Sequence, residues 1–118
     1  MRLNNYLKSK IHRAIVTEAD VNYNGSISID ADLIKRVDLS RGELVHVWNV
    51  DTGARFETYV LEAPAHSGTI CVNGAAARLV NPGDKVIIAA FALSDEPIIP
   101  KIILVNEKNQ FTENIVWE

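Results

Sequence analysis

The chain has 118 residues, enough for one domain, with 12 Lys and Arg against 15 Asp and Glu, a formal net charge of -3 and a pI near 5.6. An acidic surface repels phosphate backbones, which excludes nucleic acid as the main partner, and no block of one charge sign marks a disordered tail. Residues 1–8 lack the apolar run of a signal peptide and no stretch approaches the ~20 apolar residues of a membrane span, so a cytoplasmic protein without membrane contact is expected.

Short Val- and Ile-rich runs are separated by Gly, Pro, Asn and Asp at intervals of about 8 to 12 residues, the rhythm of a small all-β fold. In chain order, the spacing predicts strands near 11–17, 26–29, 44–50, 54–62, 69–72, 85–93 and 101–105. A helix is predicted over 31–37, with Asp30 as N-cap and Leu33, Ile34 and Val37 at helical spacing, and a second short turn over 75–79. Residues 87–92 are apolar without alternation, which points to a strand buried on both faces. Pro97 and Pro100 predict a kink before the last strand, and the polar segment after Asn106 is expected to be mobile or to pack on a neighbour.

The common catalytic signatures are absent from the sequence: no Gly-rich phosphate loop, no Gly-x-Ser-x-Gly elbow and no Cys or His pair at metal-ligand spacing, so no metal is expected. Cys71 is the only cysteine, which excludes an internal disulfide, and its setting reads as a structural residue of a buried strand. His46 alternates with Val45 and Val47 and so belongs on the polar face of a strand, while His66 sits in a turn.

The most unusual feature is Tyr23-Asn24-Gly25-Ser26. On pattern alone Asn24-Gly25 predicts a type I′ hairpin turn. The reactive alternative has Ser26 Oγ attack the Gly25 carbonyl in an N-to-O acyl shift, followed by elimination to dehydroalanine and hydrolysis to a pyruvoyl group.

The wider context favours the reactive alternative. Lys10-Ile11-His12-Arg13, Tyr23-Asn24-Gly25-Ser26, Ile29-Asp30, Trp48-Asn49-Val50, Gly53-x-Arg55-Phe56-x-Thr58-Tyr59, Val72-Asn73-Gly74-Ala75-Ala76-Ala77 and Gly83-Asp84-x-Val86-Ile87-Ile88 occur in this order, and together they resemble the pyruvoyl-dependent aspartate 1-decarboxylase family of bacteria. The resemblance runs from about Leu7 to Phe91. It departs at Ile27, where family members often carry Cys, and beyond Phe91.

The resemblance implies a mainly β fold, a six-stranded double-psi β-barrel with one or two short helices, assembled as a homotetramer with sites between subunits. It implies one domain cut into a β chain, residues 1–25, and an α chain, residues 26–118, that begins with a pyruvoyl group made from Ser26. The activity implied is conversion of L-aspartate to β-alanine and CO₂, supplying β-alanine for pantothenate and coenzyme A synthesis. A ketone joined to the substrate amine as a Schiff base would hold the electron pair left by the departing carboxylate, with no dissociable cofactor.

Roles follow by matching position. Arg55 matches a carboxylate-binding arginine, a task suited to a planar guanidinium, and Lys10 a basic residue near the substrate carboxylates. Tyr59 matches the proton donor that acts after CO₂ leaves. Thr58 and Asn73 match residues of self-processing and, with Gly74 and Ala75, of substrate binding; His12, Tyr23 and Trp48 match supporting residues around the cleavage site and pocket. Thr58 and Tyr59 are adjacent, so in a regular strand they face opposite ways, and a bulge, a strand end or two separate sites is required. Two other readings stay open: a non-catalytic β-barrel binding module whose chain stays intact, and an enzyme that accepts glutamate.

Overall fold

The computed structural model describes residues 1–117 and is built almost entirely of strands. In chain order these are β1 (Asn4–Ile15), β2 (Glu18–Asp20), β3 (Ser26–Asp30), β4 (Leu44–Asn49), β5 (Arg55–Ala63), β6 (Ile70–Asn73), β7 (Lys85–Ser94), β8 (Lys101–Val105) and β9 (Phe111–Asn114). One short helix, α1 (Ala31–Arg36), follows β3, and a 3₁₀ turn (Gly74–Leu79) follows β6. The strands join in one sheet in the order β2-β6-β3-β5-β4-β7-β1-β8-β9.

All seven predicted strands are present, but nine are found where the family resemblance implied six. The two that the sequence pattern left out, β2 and β9, are three and four residues long, largely polar, and lie at the two ends of the strand order. Each pairs on one side only, so neither needs the apolar alternation by which strands are recognised. β1 also starts well before the predicted boundary, because its polar first residues, Asn4 and Asn5, pair with Ser94 and Leu93 at the far end of β7.

One face of the sheet is the core. Ile11, Ile27, Ile29, Val45, Val47, Val60, Ile70, Val72, Ile88 and Ile103 are all at most 1% exposed, and the ladders pair several of them directly: Ile27 with Val60 and Val72, and Ile11 with Ile88 and Ile103. Burying a side chain of this size contributes about 1.5–3 kcal/mol, so these pairs fix the register and thereby decide which residues face outward. β7, between β4 and β1, has Ile88, Ala89 and Ala90 buried in succession, but Ile87 and Ala92 are half-buried and Phe91 is exposed, so the burial on both faces expected over 87–92 holds only in its middle.

Asp30 caps α1 by accepting from the Asp32 amide at 2.9 Å, and the same carboxylate accepts from the amides of His66 and Gly68, each at 2.9 Å. Residues 107–114 of the polar segment after Asn106 are tied into the chain's own sheet rather than left free. Buried Asn109 accepts from the Ile15 amide at 2.7 Å and donates to the carbonyls of Ile15 and Gly68, each at 2.8 Å, and β9 then pairs with β8. An asparagine amide can bond two backbone strands at once, which a composition-based reading of a polar tail does not register.

Candidate active site

Residues 21–25 link β2 to β3, yet these strands do not pair with each other. Both pair with β6, which lies between them: Glu18 with Cys71 through Asp20 with Asn73 on one side, and Ser26 with Asn73 on the other. Neither Asn24 nor Gly25 has a positive φ, whereas a type I′ turn needs one at both central residues, so the hairpin reading of Asn24-Gly25 is overturned. The loop is instead a connection stretched over the end of β6.

Ser26 opens β3 and is fully buried. Its Oγ accepts a hydrogen bond from Asn73 Nδ2 at 3.1 Å, an expected consequence of their direct opposition in the β3/β6 ladder. Asn73 is itself only 4% exposed, and its Oδ1 lies 3.2 Å from Cys71 Sγ. The next residue, Gly74, has φ +75°, and a Cβ there would stand 2.6 Å from Gly25 Cα and 2.8 Å from Gly25 N. Only glycine fits that backbone and that gap, so Gly74 presses directly on the residue whose carbonyl Ser26 would attack. A Cβ on Gly25 itself would meet nothing within 4 Å, so the constraint lies in the opposing turn rather than in the scissile residue. Ala75 is exposed at the start of the 3₁₀ turn, and Tyr23, 59% exposed, lies over a groove of about 370 Å³ lined also by Asn73, Cys71, Glu18 and Asp20.

Register carries the geometry outward from this corner. β5 pairs with β4 without a bulge, so Arg55, Glu57 and Tyr59 share the outer face while Phe56, Thr58 and Val60 face the core side. Thr58 and Tyr59 therefore point to opposite faces, and Thr58 makes no side-chain hydrogen bond to the cleavage loop among the described residues. The parallel β3/β5 ladder begins at Ile27 with Val60, so Ser26 and Tyr59 are the residues just before its first pair.

Farther along the outer face, Trp48 pairs with Arg55, whose guanidinium lies 4.8 Å from the centre of the indole ring. Lys10, Ala89, His46 and Glu57 form the next row across four strands. Among the described residues neither Lys10 nor Arg55 has a carboxylate within ion-pair distance, while His46 Nδ1 lies 3.9 Å from Glu57. Lys10 and His12 share a face through their even pairing with β8. His12 sits where β1 bulges against β7, beside Arg13 at φ 65°, and its buried Nδ1 has no hydrogen-bond partner. Burial first, then the charges of Lys10 and Arg13, hold the His12 imidazole below its ordinary pKa.

The structure thus brings Ser26, Gly25, Tyr23, Asn73 and Gly74 together, places Tyr59 just before the first pair of the β3/β5 ladder, and gathers Lys10, Trp48 and Arg55 elsewhere on the outer face, with His12 farther along β1. From Tyr59 to Arg55 is four residues of strand, about 13 Å, beyond what one small ligand at Ser26 could span within one chain. Cys71 was read from the sequence only as a buried structural residue. Its place two residues before Asn73 in one strand was the available signal, since such residues share a face.

The chain is similar to known proteins over most of its length. The family described as aspartate decarboxylase matches residues 1–112. The aspartate 1-decarboxylase of Pelotomaculum thermopropionicum is 51% identical over 111 residues, 91% of this chain and 84% of its own length. That of Thermoanaerobacter pseudethanolicus is 51% identical over 108 residues, 88% and 92% of the two chains, and that of Halalkalibacterium halodurans 49% identical over 116 residues, 95% and 91%. Among solved structures the chain is similar to the computationally designed msDPBB_sym2 protein, at a TM-score of 0.44 and 17% identity over 72% of this chain and 96% of that one, a likeness too slight to decide the barrel type. With a match over nearly the whole chain and half of its residues shared with each of these relatives, the chain belongs to the aspartate decarboxylase family.

Proposed function

We propose that the protein decarboxylates L-aspartate to β-alanine and CO₂, using a pyruvoyl group that it makes from its own Ser26, and so supplies β-alanine for pantothenate synthesis in the cytoplasm. The observation that carries the proposal is the fully buried Ser26 hydroxyl, held at 3.1 Å by the Asn73 amide, with the Gly25 backbone pinned by Gly74. A serine used only for turn formation would have no need of burial, a fixed donor and a glycine pressed against the preceding residue.

Self-cleavage then runs on this chain's own groups. Ser26 Oγ bonds to the Gly25 carbonyl carbon, the Gly25–Ser26 C–N bond breaks, and the hydroxyl proton ends on the freed amine. Loss of the Ser26 Cα proton with breakage of the Cβ–Oγ bond releases the Gly25 carboxylate, and water then replaces the amine as ammonia. An N–H from Asn73 aimed at Oγ favours the first step, because it stabilises charge that develops on the oxygen and leaves the hydroxyl proton free to depart. Thr58, matched by the family to processing, is the candidate to polarise the Gly25 carbonyl from the opposite side of β5. The cut would not release residues 1–25, since β1 is paired to β7 and β8 and β2 to β6.

The residues present fit such a group, because the new α chain would begin at the first residue of β3, buried inside the ladder to β6 and opposite Asn73. When formed, the pyruvoyl ketone supplies the electron sink for loss of the α-carboxylate. Arg55 and Lys10, both without a carboxylate partner among the described residues, bind the carboxylates of aspartate; Trp48 walls the pocket by lying under the Arg55 guanidinium. Tyr59 returns a proton to the carbon that lost CO₂. The ~13 Å between Tyr59 and Arg55 along one strand supports sites shared between subunits, with Ser26, Tyr59 and Asn73 from one chain and Lys10, His12, Trp48 and Arg55 from another, in a homotetramer of double-psi barrels.

The test is a CO₂-release assay on the purified protein with aspartate and glutamate in competition. Preferential conversion of aspartate to β-alanine is expected; a one-methylene difference is worth about 1–3 kcal/mol, so a preference of at least roughly tenfold should be read. Absence of CO₂ release from aspartate by the cut protein would overturn the proposal.

A further inference from the structure

We propose that Cys71 is a positioning residue for self-cleavage, whose thiol donates to Asn73 Oδ1 and so holds the Asn73 amide with its N–H, rather than its carbonyl, toward Ser26 Oγ. The inference rests on the Ser26 reading given above and adds to it the group that sets the polarity of the contact.

An asparagine amide has two ends of nearly the same shape and opposite chemistry. Turned one way, Asn73 donates to Ser26 Oγ, steadies negative charge there and leaves the hydroxyl proton free. Turned the other way, its carbonyl accepts that proton and ties it down, while nothing donates to the oxygen. Which way it turns depends on what faces its other end. That neighbour is Cys71, whose Sγ lies 3.2 Å from Asn73 Oδ1, while Asn73 Nδ2 lies 3.1 Å from Ser26 Oγ. Cys71 and Asn73 are two residues apart in β6, and each pairs across β3 with a serine, Cys71 with Ser28 and Asn73 with Ser26, so the three reacting and orienting groups share one face by register.

The thiol has to keep its proton to do this, and its surroundings ensure it. Burial first, then the charge of Glu18, a hydrogen bond to that carboxylate and the charge of Asp20 push the Cys71 pKa from 9.0 up to about 11. Glu18 Oε2 is the second acceptor within reach, at 3.7 Å from Sγ, and β2 holds it there by pairing Glu18 directly with Cys71. The thiol has one proton for two acceptors, and the shorter contact, 3.2 Å against 3.7 Å, is to Asn73 Oδ1; an S–H donated there is stronger than the weak acceptance by sulfur that a flipped amide would leave. Asn73 and Cys71 exchange no proton with Ser26 and emerge unchanged when the Gly25–Ser26 C–N bond has broken and the hydroxyl proton has reached the freed amine.

The test is the rate of cleavage of full-length chains made by cell-free synthesis and sampled over time by intact mass, with melting temperatures measured alongside. Cys71→Val keeps bulk and removes the donor; Cys71→Ser keeps a donor on a slightly shorter arm. Loss of one orienting hydrogen bond predicts cleavage slowed roughly 3- to 10-fold in Cys71→Val, and cleavage within about twofold of wild type in Cys71→Ser. A purely packing role would give the opposite order, since valine fills the volume of the thiol better than serine does. Wild-type speed in Cys71→Val, or Cys71→Ser as slow as Cys71→Val, would overturn the assignment while leaving Ser26 as the nucleophile. A wild-type chain that never cleaves would remove the Ser26 reading and this inference with it.

Discussion

Two regions of one sheet face differ in how complete they are. At the β3/β6 corner, the Ser26 hydroxyl, the Asn73 amide and the Gly74 backbone are buried and find their partners within the chain. Along β4, β5 and β1, Lys10 and Arg55 present charge that the described residues leave without a carboxylate, over a shallow cavity of about 150 Å³ beside Trp48 and His46. A corner with its contacts already made suits a reaction that the chain performs on itself, once. An open basic face suits a reaction on something brought to it. The comparison predicts that the two regions can be damaged separately.

The largest effect is expected at the corner. Ser26→Ala should leave a folded chain with no cut and no CO₂ release, with a stability loss of about 1–3 kcal/mol because the buried Asn73 amide loses its acceptor; intact mass and a thermal melt read both. Tyr59→Phe straddles the two regions. It should cleave normally and lose about 10²–10⁴ in turnover, since its hydroxyl acts only after the cut, and wild-type turnover would remove it from the proton-donor role.

Gly74→Ala probes how closely the corner is built. With φ +75° and Gly25 Cα 2.6 Å from the new methyl, the scissile peptide has to move, and cleavage should slow by about a hundredfold in a time course. Arg55→Lys probes the other region. Cleavage should be untouched and KM for aspartate raised by roughly tenfold or more, as a bidentate clamp is replaced by a point charge. Slow cleavage in Arg55→Lys would erase the division between the two regions.

The smallest effect is in pH. Cys71 is raised in the folded chain, so its contribution to stability is full below its ordinary pKa of 9.0 and is lost as pH rises toward about 11. Melting temperatures should fall across that window in wild type and fall less in Cys71→Ser. His12 has the opposite sign: a folded pKa held below 6.5 gives stability present above that value and lost as pH falls.

The seven strands with Val- and Ile-rich runs and the helix with its Asp30 cap were legible in the sequence because each is a local pattern with a direct packing consequence, while the burial expected over 87–92 extends only over 88–90. β2 and β9 were not, since short polar edge strands exist only by virtue of their partners. The Asn24-Gly25 hairpin was misread for the same reason: the dipeptide favours a turn locally, but insertion of β6 between β2 and β3 is a long-range event that overrides it. Of the candidate site, Ser26, Asn73, Arg55 and Tyr59 were reached through motifs. The turn at Asn73-Gly74-Ala75 was matched to the cleavage loop by resemblance; what no motif carried is the direct opposition of Ser26 and Asn73 in the ladder and the place of Cys71 behind Asn73, which follow from register.

The central claim is most directly tested by intact mass under denaturing conditions. The account predicts two fragments divided between Gly25 and Ser26, with the larger about 17 Da lighter than hydrolysis alone would leave it, the mass of the ammonia lost when Ser26 becomes a pyruvoyl group. A fully active preparation that gives a single mass for all 118 residues would contradict it.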